Sequence, residues 1–202
     1  MASDAAFDLA RVTAALLRPS GASSDFDLNP AVVLAEGRVL RQAAVLVALW
    51  PRDNGMQVVL TKRASHLKHH PGQIAFPGGK VEAVDAGPED AALREAHEEI
   101  GLAQGQVRLI GLLPVHETVT GFTVTPVLGV ITGDFVARRD PGEVEEVFSV
   151  PLAHVLAPDR YRVEGRMWRG QQRCYYAVPW GPYYIWGATA RILRGLAERA
   201  MA

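Results

Sequence analysis

The sequence predicts an α/β protein, and three observations carry that prediction. Apolar, β-rich runs alternate with segments of helical spacing, and Gly, Asn and Asp clusters punctuate the boundaries between them. The chain has 202 residues, 49% hydrophobic and 21% charged, a balance that supports one sizeable core. Residues 4–18 have apolar side chains at helical spacing, with Asp4 as the N-cap, and residues 19–29 read as a loop. Residues 43–50 and 56–61 are apolar runs split by Arg52-Asp53-Asn54-Gly55, a hairpin signal. Residues 88–100 read as a helix, with Pro88 at its first turn, Glu89 and Asp90 at the positive end of its dipole and Gly101 at its stop. Residues 107–113 and 122–131 are further strands, the second rich in β-branched side chains. Residues 161–168 and 171–178 form another hairpin around Arg169-Gly170, and residues 184–199 close the chain as an amphipathic helix. No internal repeat is visible. The expected organisation is a single domain over 1–202, with 1–40 as an N-terminal helical extension.

Composition excludes several classes of function. A net charge of −1 gives no basic surplus for nucleic acid. The single cysteine, Cys174, allows neither an internal disulfide nor a cysteine-based zinc cluster, and reads as a buried free thiol. No apolar run approaches the ~18 residues of a membrane span, and the start carries Asp4, Asp8 and Arg11 rather than a signal peptide. The expectation is a cytoplasmic protein with no membrane or nucleic-acid partner.

The chemistry concentrates between Gly79 and Leu102. On a helix, Glu95, Glu98 and Glu99 share one face, while Ala92, Leu93, Ala96 and Ile100 fill a separate packing arc. Carboxylates at that spacing repel by a few tenths of a kcal/mol per pair, a cost unless a cation sits over them. A hard divalent ion with oxygen ligands is the obvious candidate. An isolated Glu-x-x-Glu-Glu is ordinarily a solvated face, but here Phe76-Pro77-Gly78-Gly79-Lys80 brings bare backbone to the mouth of the same helix.

Together these residues resemble the Nudix box, Gly-x5-Glu-x7-Arg-Glu-U-x-Glu-Glu-x-Gly-U with U aliphatic. Asp85 stands where the box has its first Glu, eight residues rather than seven precede Arg94, and Glu82 is an alternative for that role. The preceding stretch, from Leu60-Thr61-Lys62-Arg63-Ala64-Ser65 through Lys68 and Gly72 to Phe76-Pro77-Gly78-Gly79, is similar to the pattern that precedes the box in coenzyme A pyrophosphatases, with Lys68 at an Arg position. Lys68 keeps the charge but lacks the bidentate fork. Segments at Gly121-Phe122-Thr123, Pro141-Gly142-Glu143 and Ile185-Trp186-Gly187 resemble the same subfamily.

The resemblance implies a mixed β-sheet in an α/β/α sandwich and hydrolysis of a diphosphate with Mg²⁺ or Mn²⁺. The metal ligands it implies are Glu95, Glu98, Glu99 and the Gly79 carbonyl, with Glu95 and Glu99 the leading pair. Glu98, Glu99 and Arg94 are its catalytic residues, Arg94 as the group that orients a glutamate. Glu98 or a carboxylate of the 143–146 loop takes the proton from water. Arg63, Lys68, Gly72, Phe76 and Gly78 are the substrate-binding set. His66, His69 and His70, with Lys62, are either a phosphate clamp or a solvated loop. His97 reads as a surface or packing residue, and His116-Glu117 as a turn. Tyr175, Tyr176, Trp180, Tyr183 and Tyr184 read as packing, with adenine stacking the less favoured role.

Three functions fit. The first is a pyrophosphatase of coenzyme A or its thioesters, acting on a small nucleotide as a monomer or homodimer. The second is a hydrolase of another nucleotide diphosphate such as ADP-ribose, NADH or a diadenosine polyphosphate. The third is a non-catalytic binding module on the same fold.

Overall fold

The computed structural model describes residues 2–168 and 170–201. In chain order the elements are α1 (Ala2–Leu16), β1 (Ser23–Ser24), β2 (Arg41–Arg52), β3 (Gly55–Arg63), β4 (Ile74–Ala75), β5 (Gly78–Lys80), α2 (Pro88–Ile100), β6 (Val107–Leu112), β7 (His116–Glu117), β8 (Phe122–Ile131), β9 (Val144–Pro151), α3 (Leu152–Val155), β10 (Arg162–Trp168), β11 (Gln171–Ala177) and α4 (Gly187–Met201). Strands β1 to β9 form one mixed sheet. Its spine runs β1-β7-β8-β2-β3-β4, with β5 on β2, β6 on β8 and β9 on β3. The β2–β8 pair is parallel and the β2–β3 pair is an antiparallel hairpin.

The two-residue period of β2 sorts its side chains between two cores. Ala44, Leu46 and Ala48 pack with Ala91, Ala92, Ala96 and Ile100 of α2. Ala43, Val47 and Leu49 face the opposite way, with Val12 of α1, Leu152 of α3 and Leu193 of α4. A sheet apolar on both faces must be covered on both, and the result is an α/β/α sandwich. Val12 and Ala15 are fully buried, so the N-terminal helix belongs to the packed structure. No helix among the described residues is long and apolar enough to cross a membrane.

Several boundaries differ from expectation. Helix α1 begins at Ala2, so Asp4 lies inside it rather than at its cap. The 143–146 segment, expected as a loop, is mostly strand: β9 pairs antiparallel with β3, Lys62 opposite Glu146. Helix α4 starts at Gly187 rather than Tyr184, because bridges between Trp180 and Tyr183 and between Ala177 and Trp186 keep that stretch extended. The β10–β11 hairpin forms as expected; Arg169 at its turn lies outside the described residues.

Candidate active site

The site is built where β5 meets α2. Strand β5 pairs with β2, Gly79 opposite Ala44 and Gly78 opposite Val45. Gly78 has φ +155, and a Cβ there would lie 2.4 Å from the Ala44 carbonyl oxygen. The glycine is therefore required by both conformation and contact. A Cβ on Gly79 would come within 2.4 Å of the Glu95 carboxyl group. Bare backbone thus makes room for carboxylates, and the Gly78 N–H donates to Glu99 Oε2 at 3.1 Å.

Helix α2 presents those carboxylates as its spacing requires. Pro88 opens it, and Gly101, in the left-handed region, ends it with its N–H on the His97 carbonyl. Glu99 is only 4% exposed, whereas the Glu98 side chain is 56% exposed and sits at the rim. Arg94 Nη1 donates to Glu95 at 3.0 Å and to Glu98 at 3.1 Å. Part of the expected like-charge repulsion is therefore offset within the protein. Arg94 is itself fixed from behind, through Nε and Nη2 to the two oxygens of Asp85 at 2.9 and 3.0 Å, and through Nη2 to the Lys80 carbonyl. Asp85, not Glu82, fills the place of the first box glutamate; Glu82 contributes its backbone N–H to Asp85 instead. The bidentate Arg94 bond holds the Asp85 carboxyl below the ordinary carboxylate range.

The electrostatics single out Glu95 and Glu99. Burial pushes the Glu99 carboxyl up to about 8, helped by the charges of Glu143 and Glu95 and opposed by the Gly78 N–H and Arg63. Glu95 is also raised, first by burial and then against the pull of Arg94. A buried and a half-buried carboxylate beside a glycine cradle are a hard oxygen donor set, which fits Mg²⁺ or Mn²⁺. No group of three or more His, Cys, Asp or Glu among the described residues could hold a metal ion alone. A partial protein set is what an ion sharing its coordination with water and phosphate needs.

The remaining expected residues do not all lie at this site. Arg63 lies within charge range of Glu99, and Gly72 lines a cleft described below. Lys68 is exposed on the 64–73 loop. Phe76, expected to bind substrate, is instead 4% exposed in the core cluster on the α1–α4 side, so its ring anchors the glycine strand. The basic loop is closed by protein contacts: Lys62 donates to Glu145 at 2.6 Å, Ser65 bonds the same carboxylate, and His66 donates to the Gly142 carbonyl at 3.2 Å. His97 is exposed as expected. His116 is not a turn residue: it is fully buried in β7, between Ser23 Oγ at 2.9 Å and Asp25 Oδ1 at 3.1 Å. Cys174 is half-buried rather than buried.

Sequence reasoning did not find the cleft. About 990 Å³ in volume, it opens between the β10–β11 hairpin, the start of α4 and the loops at 70–75 and 118–120. The α2 glutamates do not line it. Lys62 and Glu146 do, and they belong to the two strands whose ends carry Arg63 and Glu143 beside Glu99. The cleft wall at Ala75 is three residues from Gly78, about 10 Å of extended chain.

A sheet sandwiched by helices, with an Arg-Glu-x-x-Glu-Glu helix docked on a glycine strand, defines a class of hydrolases. The NUDIX domain profile matches residues 40–169, and the chain belongs to that family: it is a Nudix hydrolase. It is 46% identical over 157 residues to the "Uncharacterized Nudix hydrolase NudL" of Enterobacter sp. (strain 638), covering 78% of this chain and 81% of that protein. The protein of the same name from Salmonella newport (strain SL254) is 45% identical over the same shares. Among solved structures, the MutT protein of Methanosarcina mazei Go1 superposes with a TM-score of 0.52 at 17% identity, over 83% of this chain and 96% of that one. That likeness concerns the fold.

Proposed function

We propose that this Nudix hydrolase is a cytoplasmic enzyme that cleaves the diphosphate of coenzyme A or its thioesters. The products are 3′,5′-ADP and 4′-phosphopantetheine or its acyl derivative. The observation that supports hydrolysis most directly is the pairing of the Gly78-Gly79 cradle with Glu95 and Glu99. The motif running from Leu60 to Gly79 supports the substrate class, and a 990 Å³ cleft beside the site suits a ligand that large.

Glu95, Glu99 and the Gly79 carbonyl would hold Mg²⁺ or Mn²⁺, with Glu98 completing the set at the rim. A divalent ion bound there supplies charge neutralisation at the diphosphate and an acidified water. Arg94 positions Glu95 and Glu98 while Asp85 holds the guanidinium plane. Glu143 would take a proton from water. Its charge is felt by both Glu95 and Glu99, and its neighbour Asp140 donates its N–H to the Glu99 carbonyl at 2.9 Å. Arg63, whose charge opposes that of the cluster, is available to a phosphate oxygen, and Lys68 adds an exposed point charge at the cleft approach.

Product analysis of a panel of coenzyme A, dephospho-coenzyme A, ADP-ribose, NADH and Ap4A with each metal tests this reading. Coenzyme A should be the best substrate. Dephospho-coenzyme A should fall on the order of tenfold in kcat/KM, the loss of one charge-assisted contact. ADP-ribose should be poorer still, lacking the pantetheine arm as well. ADP-ribose turned over as efficiently as coenzyme A would remove the substrate assignment and leave the family intact.

A further inference from the structure

Roughly half of the cleft wall comes from outside the span that the Nudix family shares. Residues 40–169 match the family, yet Asp25, Arg173, Tyr175, Tyr184 and Trp186 all line the cleft. Elements outside the common core that converge on one cavity beside the reaction site are placed to recognise the part of the substrate remote from the scissile bond.

The chemistry of that wall is specific. Arg166 of β10 and Arg173 of β11 are directly opposite each other in the hairpin register, and both line the cleft. Side chains directly opposite on antiparallel strands share one face of the hairpin. A phosphate monoester that reaches both guanidiniums would accept a charge-assisted hydrogen bond from each. The next pair on the same face is Glu164 opposite Tyr175. Glu164 accepts a hydrogen bond from Tyr184 at 2.5 Å, and Tyr175 and Tyr184 hydroxyls are 3.2 Å apart. Trp186 stands beside them, its ring 5.0 Å from that of Tyr175 and 5.4 Å from the Arg166 guanidinium. The wall thus places a paired-arginine step next to an aromatic shelf with polar edges. That combination suits a planar base and a phosphate monoester held on one rigid unit.

We infer that the cleft binds a nucleoside that carries a phosphate monoester on its ribose, with Arg166 and Arg173 gripping the monoester and Tyr175, Tyr184 and Trp186 receiving the base. This rests on the proposed function only for the choice of adenosine 3′,5′-bisphosphate as the probe. It assigns the ribose phosphate to the hairpin rather than to Lys62 and His66 of the basic loop, which Glu145 and Gly142 already engage.

Calorimetric titration of the metal-free protein with adenosine 3′,5′-bisphosphate and with AMP tests the inference without turnover. The bisphosphate should bind roughly tenfold tighter or more, because two charge-assisted contacts meet its added phosphate. Arg166→Gln and Arg173→Gln should each cut that preference severalfold by weakening only the bisphosphate, because the neutral amide has neither the charge nor the reach of the guanidinium. Both positions lie on a hairpin outside the two cores, so the fold survives the changes. Equal affinities in the parent protein, no binding of either nucleotide at millimolar concentration, or a preference untouched in both variants would overturn the assignment. An arginine-dependent preference in a protein that does not favour coenzyme A would sink the proposed substrate and leave this site standing. Preferred hydrolysis of coenzyme A with the preference unchanged in both variants would do the reverse.

Discussion

Arg94 joins three carboxylates, and its own anchor is the residue that departs from the family pattern. Asp85 is one methylene shorter than Glu and one residue further from Arg94 in sequence, yet both of its oxygens face the guanidinium. Asp85→Asn should therefore loosen Arg94 and lower kcat by about 10–100-fold, the usual effect of removing a group that orients ligands. Glu82→Gln should be close to neutral, since only the Glu82 backbone takes part. Steady-state kinetics of the two variants decide the matter, and the reverse ranking would return the role to Glu82. A second residue, away from the site, gives a pH signature. His154 is depressed below its ordinary value of 6.5, mainly by burial, with the charge of Arg160 adding and the Pro179 carbonyl opposing. The folded state then binds fewer protons than the unfolded state below pH 6.5, so the stability contributed by neutral His154 is present above that pH and lost as pH falls. Thermal unfolding between pH 7.5 and 5.5 should show a smaller drop in Tm for His154→Gln than for the parent; parallel curves would contradict the shift.

The elements differ in how plainly they could be read beforehand. Strands β2, β3 and β8 and helix α2 are long and strongly periodic, and α2 also carries its own start and stop in Pro88 and Gly101. Strands β4, β5 and β7 are two or three residues long, too short for any period to show. Strand β9 hid behind Glu145 and Glu146, polar residues that strand pairing with β3 tolerates because Lys62 meets Glu145. The glycine strand offers the test at this scale. Gly79→Ala should abolish most activity while leaving the protein folded, because its Cβ meets the end of the Glu95 side chain, which can swing away. Gly78→Ala meets the Ala44 backbone and a left-handed φ together, and should cost roughly 1–3 kcal/mol of stability. Denaturant unfolding and activity of the pair separate the two effects, and similar behaviour in both assays would argue against distinct roles.

At the scale of the whole molecule, the acidic helix and its glycine turn were legible in the sequence because they are local: one helix and one turn carry them. The cleft was not, since its wall joins Asp25, the 118–120 loop and Tyr184, residues that only the folded sheet brings together. The same holds for His116, whose partners Ser23 and Asp25 lie more than 90 positions upstream. We propose that Glu95 and Glu99 hold the ion on which diphosphate hydrolysis depends. Folding buries Glu99, pushed up to about 8, in a site where the Gly78 N–H and the Arg63 charge only partly offset the cost of a carboxylate. The most direct measurement is turnover of coenzyme A by Glu95→Gln and Glu99→Gln beside the parent, with Mg²⁺ or Mn²⁺ and with a chelator, alongside metal-free thermal unfolding. Both variants should lose orders of magnitude in turnover, equal to the loss in the chelated parent. Their metal-free Tm at pH 8 or above should not fall, because the neutral amide relieves repulsion. Near-normal turnover in both variants would contradict this role and remove α2 from the reaction.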